Sequence, residues 1–168
     1  MTSGICRAAA IGLALASSLV TAAAAQGQPS GSQGRTVEGT WYVQVTPRIC
    51  ATGAPVPGVP LVSALVTFHA GGTMSETAGG TGFAPGQRSP GHGTWHHEEG
   101  QTFSQRFTAL INFTTVLNFQ EAGWQVVDQV VSLIDSDHFE STGGNVFYRA
   151  DGSSYRTGCS TAVGTRFQ

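Results

Sequence analysis

The chain has 168 residues with eight arginines, no lysine and ten acidic residues, a formal net charge of −2. That length supports one domain with one hydrophobic core. Its mild acidity argues against nucleic acid and anionic membrane as partners, since both require clustered positive charge.

Met1 to Ala25 reads as a secretory signal peptide. Arg7 supplies the positive start, Ala8 to Val20 is apolar, and Ala23-Ala24-Ala25 before Gln26 offers small residues for cleavage. The apolar run is too short for a membrane span, and no later stretch is long and apolar enough to be one. Cleavage removes Cys6 and leaves Cys50 and Cys159. The mature chain, 26–168, then carries seven arginines against ten acidic residues. These features predict a secreted or periplasmic protein, where disulfides persist.

Residues 26–36, rich in Gly, Ser and Gln, read as a flexible leader, and the domain proper as 37–168. From Val37 onward, β-branched and aromatic runs alternate with Gly, Pro, Asn and Asp, and no segment has helical periodicity. Eight strands are predicted: 37–46, 61–69, 73–78, 92–98, 102–114, 124–134, 138–149 and 154–167. Short turns such as Gly71-Gly72, Glu99-Gly100 and Asp151-Gly152 make the connections antiparallel. The fifth strand alternates most clearly, with Phe103, Phe107, Ala109 and Ile111 on one face and Ser104, Arg106 and Thr108 on the other. The sixth is apolar on both faces. The fold class predicted is all-β, an eight-stranded antiparallel up-and-down barrel, with a two-sheet sandwich as its rival. In such a barrel the first and last strands are neighbours, so Cys50 and Cys159 can meet in a disulfide. A reactive or metal-binding cysteine pair is the alternative.

Gly39-Thr40-Trp41 recurs as Gly93-Thr94-Trp95 and is echoed by Gly164-Thr165-Arg166. On these residues the chain resembles a bacterial lipocalin-like barrel of the calycin group. In that group a Gly-x-Trp on the first strand closes one barrel end and an Arg near the last strand packs across the indole. The resemblance implies that Gly39, Trp41 and Arg166 form this closure. The mid-chain Thr-Asp turn of true lipocalins is absent, and barrels resembling allene oxide cyclases remain open.

Residues that could carry chemistry concentrate between Met74 and Trp95. Arg88 is a candidate partner for a carboxylate ligand, and Glu76 with His92 a candidate acid–base pair; a structural loop is the plainer reading. Asp128, on an otherwise apolar strand, is predicted to be partly buried, as a general base or as a salt-bridge partner of Arg106. Trp95, Phe107 and Trp124 are candidate ligand contacts. His92 and His96 stand about 13 Å apart along one strand, too far to chelate one ion together, and no metal site is predicted. No nucleotide, phosphate or cofactor motif is present, so no cofactor is predicted.

The leading expectation is a barrel that binds a small apolar molecule. The alternatives are a cofactor-independent cyclase, isomerase or hydratase using the same interior, and a solid barrel acting as a protein-interaction module. Oligomeric state is left open.

Overall fold

Period-two alternation of apolar and polar residues builds one continuous wall. The computed structural model describes residues 36–80, 83–116 and 120–168. They contain eight strands: β1 (Gly39–Arg48), β2 (Val62–Phe68), β3 (Thr73–Gly79), β4 (Arg88–Glu99), β5 (Thr102–Ile111), β6 (Gly123–Leu133), β7 (His138–Arg149) and β8 (Ser154–Arg166). Each pairs antiparallel with the next, and β8 pairs with β1, so the sheet closes into a barrel with no free edge. The predicted fold class is therefore the observed one, and the sandwich is excluded. One compact unit takes in all the described residues. The predicted signal peptide and almost all of the predicted leader lie outside the described residues.

Closure brings the cysteines together. Cys159 on β8 lies beside the end of β1, and Cys50 follows that strand by two residues. They form a disulfide with Cα atoms 5.2 Å apart across 109 residues of sequence. Such a bond fits a chain that folds in an oxidising compartment. Among the described residues no helix is long and apolar enough to cross a membrane.

The two barrel ends differ. One is solid: Trp41, Phe68, Trp95, Phe103, Val131 and Phe139 are buried in one cluster. Its rings meet edge-on, with centroids 4.9 Å apart for Trp41–Phe139 and 6.1 Å for Phe68–Trp95. Both indoles spend their N–H on carbonyls, Trp41 on Val37 at 2.7 Å and Trp95 on His69 at 2.9 Å. Arg166 seals this end, its guanidinium carbon 4.1 Å above the Trp41 ring. It also donates to the carbonyls of Glu38, Thr36 and Ser136.

The repeated Gly-Thr motif has a steric basis here. Gly39 has φ +119°, and a Cβ there would sit 2.7 Å from an Arg166 nitrogen. At Gly164 a Cβ would meet the Phe139 ring at 2.3 Å. Each glycine leaves the space that a neighbouring strand's large side chain fills.

Candidate functional site

The other half of the barrel is hollow. A cavity of about 590 Å³ lies among residues of all eight strands, β4 contributing Arg88, and of the segments that follow β1, β3 and β5. Its wall is largely apolar, including Val43, Val66, Phe107, Val127 and Phe147. Val56 and Val59, after the disulfide-bonded Cys50, and Phe83, before β4, complete it. Gln87, fully buried, holds the latter segment in place. Its side chain accepts from the Ala84 N–H and donates to the Phe113 carbonyl and the Thr115 hydroxyl.

Besides Arg48, Asn145 and Thr157, three polar groupings interrupt this lining. The first is an ion pair between Glu76 on β3 and Arg88 on β4, at 2.9 Å, with side chains only 4% and 6% exposed. Arg88 also donates to Gln125 Oε1 at 3.0 Å and lies 5.6 Å over the Phe83 ring. Burial pushes the Glu76 pKa above the ordinary carboxylate value. The Arg88 charge and hydrogen bond, together with the Gly91 N–H, oppose that shift without cancelling it.

Arg88 faces the cavity because the β4–β5 register slips between Arg88 and Gly91. The slip is a β-bulge containing Ser89 and Pro90. Pro90 is exposed there and lacks an N–H, which a regular ladder position would need. Ser89 repairs the ladder by accepting from the Leu110 N–H at 2.9 Å. The sequence pattern predicted a loop until His92, so the position of Arg88 in the wall is a correction to that strand boundary.

The second feature is Arg156 on β8. Its guanidinium carbon lies 3.8 Å over the Phe147 ring, and it donates to Gln120 Oε1 at 2.9 Å. Burial lowers its pKa, and no described carboxylate lies within ion-pair distance.

The third is a buried amide–hydroxyl network. Gln105 donates to Gln129 Oε1 at 2.8 Å, and Ser141 donates to the same oxygen at 3.0 Å. Gln129 in turn donates to the Ser160 hydroxyl at 3.0 Å. Gln105 Oε1 is the buried side-chain atom left without a hydrogen-bond partner among the described residues.

The residues singled out from the sequence divide between the two sides of the wall. Glu76, Arg88 and Phe107 line the cavity. Trp95 points inward but belongs to the solid end, packed between Phe68 and Phe103. His92 pairs in register with Ser75 and is exposed, whereas Glu76, the next residue along β3, points inward. Successive residues of a strand face opposite sides, so Glu76 and His92 do not form the predicted acid–base pair. Arg88, not His92, is the Glu76 partner, and it is engaged with this internal carboxylate.

Asp128 is outside as well. It is 53% exposed and pairs at 3.0 Å with Arg106, itself 66% exposed, which corrects the predicted partial burial and keeps the predicted salt bridge. Trp124 stacks on Tyr148 on the outer face of β6 and β7, with centroids 5.3 Å apart. It does not line the cavity.

The pattern reading missed Gln105, Gln129 and Arg156. The signal for the two glutamines was present: each stands between apolar residues of the inward register, Phe103 and Phe107 or Val127 and Val131.

No protein-family model matches this sequence, and no curated protein gives a significant match. Function therefore has to be argued from the cavity itself.

Proposed function

We propose that the protein holds one small, predominantly apolar molecule inside the barrel, in the periplasm or outside the cell. The cavity carries this reading: about 590 Å³ of apolar-walled space with a few polar groups is the size and chemistry of a small-molecule site. The Gly39–Trp41–Arg166 closure supports a lipocalin-like relationship, and the disulfide supports the compartment.

Titration with the neutral fluorophore N-phenyl-1-naphthylamine tests it. Saturable one-to-one binding is expected, weakened at least tenfold by Ala78→Phe, which places a ring at a position lining the cavity. Absence of saturable binding to the native protein overturns the proposal. Native mass spectrometry of protein from its own host complements the titration, because a retained ligand appears as a stoichiometric added mass.

One observation favours a second reading, catalysis in the same cavity. Glu76 is the carboxylate among the lining residues, and a raised pKa suits proton transfer. Small molecules recovered from wild type and from Glu76→Gln separate the readings. The same compound in both supports a carrier, whereas a different compound accumulating in the variant supports catalysis.

A further inference from the structure

We infer that Arg156 forms an anion subsite in the cavity wall that takes a carboxylate carried by the bound molecule. This deepens the binding proposal and rests on it. The ligand class it implies is a small apolar body bearing one carboxylate.

The charges of the wall are unbalanced. Among the described residues, three arginines line the cavity, Arg48, Arg88 and Arg156, against one carboxylate, Glu76. Arg88 engages that carboxylate at 2.9 Å. Arg48, at the end of β1, donates from Nε to the Thr161 hydroxyl at 2.9 Å. Thr161 alternates with the buried Ser160 and Ala162, so this bond draws Arg48 towards the outer register of β8. Arg156 is left without an anion, since no described carboxylate lies within ion-pair distance of it.

Arg156 is on the inward register. It stands opposite Phe147 in the β7–β8 ladder and shares its side of β8 with Gly158 and Ser160, which also line the cavity. Its guanidinium carbon lies 3.8 Å over the Phe147 ring, a contact that holds the group in place. Of its five N–H groups, one on Nη2 goes to Gln120 Oε1 at 2.9 Å. Whichever Nη2 hydrogen serves Gln120, one two-nitrogen edge keeps both its N–H groups, Nε with Nη2 or Nη1 with Nη2. Such an edge is the fork that a carboxylate matches. Nε and Nη1 donate to no described residue, yet neither is sealed from solvent, so an incoming group can reach them.

Burial lowers the Arg156 pKa, as expected of a cation that has lost water without gaining an anion. A carboxylate entering apolar space bears the same kind of cost, and pairing the two charges offsets both.

The test compares 2-naphthoate with 2-naphthamide, its neutral counterpart of nearly equal shape. Each displaces N-phenyl-1-naphthylamine from wild type and from Arg156→Gln, and the informative quantity is the ratio of the two affinities. That ratio is expected to shift about tenfold or more against 2-naphthoate in the variant, the effect of losing hydrogen bonds to a charged group. An unchanged ratio, including an equal loss for both probes, overturns the inference, because Arg156 then only shapes the wall. If the fluorophore binds wild type but neither probe displaces it, the subsite fails and the binding proposal stands. If the fluorophore does not bind either, both fail.

A crystal structure of wild type with 2-naphthoate does not require the variant to fold. The carboxylate is expected within hydrogen-bond distance of Arg156. A carboxylate placed on Arg88 or elsewhere in the cavity overturns the assignment.

Discussion

A buried carboxylate beside an arginine need not favour ionisation. For Glu76, desolvation outweighs Arg88, so the folded protein holds the Glu76 proton more tightly than the unfolded chain does. The group's contribution to stability is then full below the ordinary carboxylate pKa, about 4.5, and is lost as pH rises through the higher folded value. Urea unfolding at stepped pH should show wild type losing stability relative to Glu76→Gln across that window. The loss is about 1.4 kcal/mol for each pKa unit of elevation. The opposite slope would mean that Arg88 dominates and the carboxylate is ionised throughout. The exposed Arg106–Asp128 pair provides a contrast. Removing either partner there should change stability by less than about 1 kcal/mol in the same assay.

At the scale of the strand, β4 decides most of the site's geometry. Its bulge turns Arg88 into the cavity, and its glycines let β3 and β5 close in on either side. A Cβ on Gly93 would lie 1.9 Å from the Arg106 carbonyl oxygen and 2.5 Å from the Phe107 Cα, both backbone atoms that cannot swing aside. Gly93→Ala should therefore cost about 1–3 kcal/mol or more by overpacking, seen as a lower urea midpoint. Gly58→Ala has open space around it and tests only the left-handed backbone, φ +75°. The alternating strands were legible from sequence, and β7 was predicted at its observed bounds. The start of β4 was not, because Ser89-Pro90 reads locally as a strand terminator. The hydroxyl that repairs the ladder becomes visible only once β5 lies alongside. On β6, apolar residues on both faces hid which side was inside, and Trp124 and Asp128 were assigned inward on that ambiguous pattern.

The whole molecule combines one solid half with one hollow half, and the disulfide joins the barrel's seam at the hollow end. Cys50 and Cys159 both border the cavity, so the bond tethers the segment bearing Val56 and Val59 to β8 as well as closing the chain. Closing a loop of 109 residues corresponds to about 4–5 kcal/mol in the chain-entropy model. Replacing both cysteines by serine should lower the unfolding free energy by about 2–5 kcal/mol. Thiol titration of the unreduced, denatured mature protein should find no free thiol; two reactive thiols would contradict the bond.

The sequence alone made the strand number and antiparallel order legible and favoured a barrel and a disulfide, while the closed register and the bond itself came from the structure. Period-two alternation and short turns are local, and a barrel makes the first and last strands neighbours, so Cys50, just after β1, and Cys159 on β8 can meet. Only the tertiary structure decided which half is hollow, that Arg88 pairs with Glu76, and that Gln105 and Arg156 border the cavity. Those outcomes depend on bulge position, register and the volumes of side chains from different strands meeting across the barrel. Residues far apart in the chain carry no local record of that meeting.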